Sequence, residues 1–185
     1  MPYSKIEAIS EIEKGFRQHD SRFLRKVNDR AIEMLALEFD KDFYNLAILS
    51  YCLSKIAQKP RYWENNPKIA DISRRLSAKL HDCSLLAAPE KAADLSRGIF
   101  ESVGMIDLLD SSDRRFVRQP VEKAKLKIAA TLYAQGFSLG SASELTGMDK
   151  REILSYAGRT MMFDRLRTSI SISERVRNVR KIFEK

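Results

Sequence analysis

The side chains able to do covalent or metal chemistry are few: two histidines, His19 and His81, and two cysteines, Cys52 and Cys83. His81-Asp82-Cys83 contains the residue types of a thiol nucleophile. Sequence neighbours on or near a helix point in different directions, however, and a catalytic constellation is defined by geometry. No CxxC pair, Glu-x-x-His pair or HExxH motif occurs, so neither a structural zinc nor a disulfide framework is suggested. Gly136 and Gly140 are not followed by Gly-Lys-Ser/Thr, which excludes a P-loop, and no Rossmann fingerprint is present. No catalytic residue, metal or cofactor is expected. A second chemistry is better represented. Lys150, Arg151, Ser155 and Arg159 follow one another at helical spacing. Ammonium and guanidinium groups suit phosphates and guanine edges, and a hydroxyl can bond to either.

These residues must be positioned by the stretch from Leu139 to Tyr156, which reads as two short helices joined by a tight turn. Ala142 and Ser143 are small enough for two crossing helices to approach there. Thr146-Gly147-Met148 makes the corner, with Gly147 free to take a positive φ. Asp149 caps the second helix, and Glu152 stands three residues on, as in an Asp variant of the capping box. Ile153 and Tyr156 share one face, with Met148 packing just before it.

This arrangement resembles the helix-turn-helix superfamily, in which the second helix enters the DNA major groove. The likeness covers roughly 20 of 185 residues, a short pattern. It implies outward positions at Asp149, Lys150, Arg151, Leu154, Ser155 and Arg159. Leu154 departs from an ideal reader: it suits a thymine methyl or, alternatively, a protein surface.

Charge is distributed unevenly. From Arg114 onward there are 16 Lys/Arg against 7 Asp/Glu, whereas the preceding part holds 17 against 18. The whole excess of +8 therefore lies with the helix-turn-helix-like stretch, as expected of a nucleic-acid module on a neutral scaffold. A solvated basic helix surface is the alternative. The charged fraction of 31% and hydrophobic fraction of 44% are ordinary for a soluble globular chain. No apolar run reaches the roughly 18 residues of a membrane span, and the first residues lack a secretory pattern, so a cytoplasmic protein is expected.

Glycine is nearly absent before Gly98 and hairpin dipeptides are missing, which predicts an all-α fold. A first helix over 4–18 carries Ile6, Ile9, Ile12 and Phe16, and a second is capped by Asp20 or Ser21. The third, from Asp40 to about residue 58, is apolar nearly all round and is read as the central rod of a bundle or an oligomer interface. Asn66-Pro67 starts a fourth helix. Pro89 starts a fifth, whose packing side is Ala92, Ala93, Leu95, Ile99, Phe100 and Val103, with Gly104 interrupting it. A polar segment over 114–120 is the expected linker. The expected trihelical unit spans 121–135, 139–145 and 149–157, with Lys123, Lys125 and Lys127 largely outside. Ser171-Ile-Ser-Glu174 opens a final amphipathic helix.

The expectation is thus an N-terminal helical bundle (1–113), a linker (114–120) and a basic helix-turn-helix-like domain (121–185). Such a protein would bind double-stranded DNA, as a transcriptional regulator does, and would dimerise through the bundle. Lys150, Arg151 and Ser155 would approach bases, while Arg159, Lys123, Lys125 and Lys127 would anchor phosphates. The rival is a protein-interaction scaffold presenting Leu154 and Met161-Met162-Phe163. RNA binding ranks lower, since the usual sheet aromatics and Gly-x-x-Gly loop are missing.

Overall fold

The computed structural model describes residues 3–58, 67–86, 91–112 and 119–165. The fold is all-α: α1 (Lys5–Arg17), α2 (Ser21–Glu38), α3 (Lys41–Ala57), α4 (Pro67–Ser84), α5 (Ala92–Ser112), α6 (Pro120–Ala134), α7 (Leu139–Thr146), α8 (Lys150–Arg159) and the single turn α9 (Met162–Arg165). Asn66, Pro89, the bulk of the 114–120 segment and the expected final helix from Ser171 lie outside the described residues.

Polar caps start the first three helices where their sequences require. Ser4 Oγ accepts from the Glu7 N–H, Asp20 from the N–H groups of Arg22 and Phe23, and Asp40 from that of Asp42. Each satisfies backbone donors that the first turn cannot pair internally. Between α2 and α3 the chain turns at Phe39, which takes a left-handed φ of 55° and donates its N–H to the Leu35 carbonyl.

The third helix is the axis of the bundle. Phe43, Leu46, Ala47, Ile48, Leu49, Cys52, Leu53 and Ile56 are all buried, and α2, α1 and α5 pack around it. The apolar excess that suggested a dimer interface is consumed inside the chain, so it no longer argues for a dimer. The hydroxyls of Ser50 and Ser54 stay satisfied by donating to the Leu46 and Tyr51 carbonyls of the same helix. Asn28, fully buried on α2, donates to the Ala47 carbonyl at 2.7 Å and so ties α2 to α3.

Two charged clasps hold α1. Arg30 grips both Glu11 oxygens at 2.9 and 2.7 Å while its guanidinium lies 4.6 Å from the centre of the Tyr3 ring. Lys5 reaches Asp40 at 2.6 Å and Asp42 at 2.8 Å, and Ser96 of α5 donates to the same Asp42. Burial alone would raise the Asp40 pKa, but the Lys5 ammonium and the Asp42 and Phe43 backbone N–H groups outweigh it and hold the carboxyl below its ordinary value.

The fifth helix differs from expectation. It runs unbroken through Gly104, and its inward side is Leu95, Gly98, Ile99, Ser102 and Ile106. Ala92, Ala93 and Phe100 face outward, Phe100 with 68% of its surface exposed. The reason is Gly98: a Cβ built there would stand 2.4 Å from Cys83 Sγ of α4. The two helices touch at that glycine, and this fixes the rotation of α5. Phe100 is thereby turned away.

The chain forms two compact units, Met1–Ile128 and Ala129–Lys185. The division falls within α6 and not at the expected 114–120 linker. The first half of α6 belongs with the bundle: burial, with Glu122 nearby, pushes the Tyr44 hydroxyl up to about 12.

Two outcomes are expected. Gly98→Ala should lower the urea-unfolding free energy by about 1–3 kcal/mol, as overpacking does, and the loss should shrink in a Cys83→Ala background. Asp40's lowered pKa contributes stability that is present above the ordinary carboxylate value and lost as pH falls through the lowered one. Lys5→Met should therefore flatten the acid limb of a stability profile measured from pH 5 down to about pH 2.

Candidate functional site

The second unit contains the corner that the sequence singled out. Ser138 Oγ caps α7 by accepting from the Ser141 N–H. Gly147 ends it in the left-handed region at φ 71°, its N–H donating to the Ser143 carbonyl at 2.8 Å. Asp149 then opens α8, accepting from the N–H groups of Arg151 at 2.8 Å and Glu152 at 3.3 Å. Three residues, Gly147, Met148 and Asp149, thus join an eight-residue helix to a ten-residue one.

Side chains brace this turn in ways that periodicity does not reveal. Ser143 Oγ donates to the Met148 carbonyl at 2.7 Å, and Thr146 Oγ1 donates to the Ala142 carbonyl at 2.7 Å. The signal available was the presence of hydroxyls beside a glycine corner, but which carbonyl each would reach is a tertiary matter. Ala142, Met148, Ile153 and Ala157 are buried, so α7 and α8 meet through small and flexible apolar groups. The one-turn α9 packs on α6: Met162 Sδ lies 3.9 Å from Thr131 Oγ1, and the rings of Phe163 and Tyr133 meet edge to face at 5.3 Å. Of the expected Met161-Met162-Phe163 patch, only Met161 is exposed, with Met162 buried and Phe163 half-buried.

With Ile153 and Ala157 inward, the 100° step of the helix sets the outer surface of α8. Arg151, Ser155 and Gly158 form its crest. Lys150 and Leu154 flank the crest on one side, and Glu152 and Arg159 on the other. All seven are exposed. Among the described residues, no salt bridge engages Lys150 or Arg151. Arg159 is partly committed, its Nε donating to the Ser155 carbonyl at 3.4 Å.

The three lysines of α6 fare differently from one another and lie in the first unit. Lys123 is exposed. Lys125 is half-buried and bonds to Glu122 at 2.8 Å. Lys127 is not outside at all: its ammonium donates to Asn28 Oδ1 at 2.5 Å and to Asp29 at 3.3 Å, and lies 5.5 Å from the Tyr51 ring centre. Burial pushes its pKa down against the pull of Asp29. Lys127 is a tie of the bundle, and its expected role as a phosphate anchor is withdrawn. The +4 spacing that aligned it with Lys123 could not show that Asn28 was waiting across the interface.

A second concavity, about 370 Å³, lies beside the contact of α4 and α5 and is lined by Lys79, Cys83, Arg97 and Glu101 among others. Its charges neutralise one another, Lys79 pairing with Glu101 and Arg97 with Asp94. Burial pushes the Cys83 thiol up, while neighbouring His81 is exposed on another side of the helix. Among the described residues no group of His, Cys, Asp or Glu side chains is arranged to hold a metal ion, and no helix is long and apolar enough to cross a membrane.

Comparison with known proteins returns no match, whether against family models, curated proteins or solved structures.

Asp149→Ala should lower stability by about 1 kcal/mol, the usual worth of an N-cap, whereas Asp149→Asn should keep most of it. Thermal unfolding followed by circular dichroism would read the difference.

Proposed function

We propose that the chain binds double-stranded DNA through the outer surface of α8, with Arg151 and Ser155 directed at base edges and Lys150 at a base edge or adjacent phosphate. A transcription-regulating role is the biological form this reading takes. What supports it is one observation: the cations at the start of α8 stand exposed beside Ser155, opposite the buried Ile153 and Ala157. A short helix held at its N-terminal end by a braced corner, with donors in its first turn, matches what a major-groove reader requires. The basic excess of the C-terminal part supplies the complementary charge that draws a protein to a phosphate backbone.

Chemically the site would act by contact and not by bond-making. Arg151 can present two parallel N–H groups to guanine N7 and O6, and Ser155 can donate to or accept from a base. Leu154, 45% exposed on the Lys150 flank, offers an apolar surface for a thymine methyl. Arg159 holds its Nε near its own helix and would approach the backbone with the rest of its guanidinium. Dimerisation through the bundle remains part of the proposal because two-fold pairing of half-sites is common to such readers.

Fluorescence anisotropy with random-sequence duplex DNA, single-stranded RNA and a neutral polymer is the test. The protein should bind duplex and lose affinity steeply between about 50 and 200 mM salt. Lys150→Ala/Arg151→Ala should weaken binding and lower the salt slope by about 2, one for each phosphate left without its cation. Lys127→Met should leave that slope unchanged. An unaltered slope in the double variant, or no duplex binding by the wild type, would remove the assignment in favour of a protein-interaction scaffold.

A further inference from the structure

Glycine in a helix is destabilising by roughly 0.5–1 kcal/mol relative to alanine, so it is usually retained for a positive φ or for a crowded contact. Gly158 serves neither purpose. It lies within α8 without a positive φ, and a Cβ built there would meet nothing within 4 Å. Gly98 is the opposite case, its added Cβ running into Cys83. Gly104 of α5 is as open as Gly158, so openness by itself does not single out a residue. Gly158 is set apart by its place: it ends the crest that begins with Arg151 and Ser155, two turns and one turn before it. Along that line the side chains shorten from a guanidinium to a hydroxymethyl to a hydrogen. The crest is long where a base edge would be reached and bare where the helix would leave the groove.

We infer that Gly158 is a positioning residue of the DNA interface, its bare backbone letting a sugar-phosphate strand of the duplex lie directly against the last turn of α8. This rests on the proposed duplex-binding function and adds to it the point of closest approach. Any Cβ at position 158 would push the strand away from the helix and lift Arg151 and Ser155 from the bases together. The side chain is absent for the partner's sake, so filling it should affect the free protein and the complex in opposite directions.

The test pairs thermal unfolding with anisotropy on the intact chain, using Gly158→Ala, Gly158→Leu and the Lys150→Ala/Arg151→Ala variant with the same random duplex. Gly158→Ala should melt at the same temperature or higher, since alanine favours helix. It should nevertheless bind duplex roughly five- to a hundredfold more weakly, the range over which an added methyl acts in a tight contact. Gly158→Leu should bind more weakly still. If the wild type binds duplex and loses affinity in the Lys150/Arg151 variant, but Gly158→Ala binds as the wild type does, the inference fails and the proposed function stands. If Gly158→Ala melts lower, its loss of binding is structural and the inference fails likewise. If the wild type binds no duplex, both fall.

Discussion

A helix with apolar residues on nearly every side can persist in water only if other elements enclose it, and α3 sets that condition for the bundle. Its Phe43, Leu46, Ile48, Leu49 and Leu53 point around the full circle, so α2, α1 and α5 are recruited to cover it. The polar groups admitted to that enclosure are each matched. Asn28 meets the Ala47 carbonyl and the Lys127 ammonium, and Asp42 meets Lys5 and Ser96. Such matching is necessary because a buried polar group without a partner is destabilising by a few kcal/mol. The bundle thereby gains fixed registers at points where apolar packing alone would tolerate sliding.

The second unit solves a different problem with fewer residues. Its small core, Ala142, Met148, Ile153 and Ala157, contributes little area, and the corner is held largely by hydrogen bonds: Ser138 and Asp149 as caps, Ser143 and Thr146 as braces, Gly147 at positive φ. Directional bonds suit a module whose outward surface must stay polar. They fix the pitch of α8 without enlarging the apolar face.

What could be read from the sequence follows this division. Caps at Ser4, Asp20, Asp40, Ser138 and Asp149 were legible because a short polar side chain before a periodic run has a local cause. The buried rod, the left-handed Gly147 and the inward Ile153 were legible for the same reason. Features decided across space were not. Phe100 has the spacing of a core residue, yet the close approach at Gly98 rotates it outward. Lys127 has the composition of a surface lysine, yet Asn28 and Asp29 claim it. The extent of α3 was visible, but whether its apolar surface met another chain or its own neighbours depended on packing that no window of sequence contains. For the candidate site, the outward identity of Lys150, Arg151, Leu154, Ser155 and Arg159 was legible from the helical period, while the bare end of the crest at Gly158 was not.

The turn at Phe39 and Asp40 carries a consequence for how the bundle assembles in time. With so short a connection, α2 and α3 can meet at a small loop-closure entropy, and their interface is the most extensive in the bundle. By contrast, α4 reaches α1 only across the whole of α2 and α3. Pairings between near neighbours in sequence tend to form before distant ones. The α2–α3 hairpin is therefore the expected nucleus, and the closing of α4 on α1 the late step that completes the enclosure.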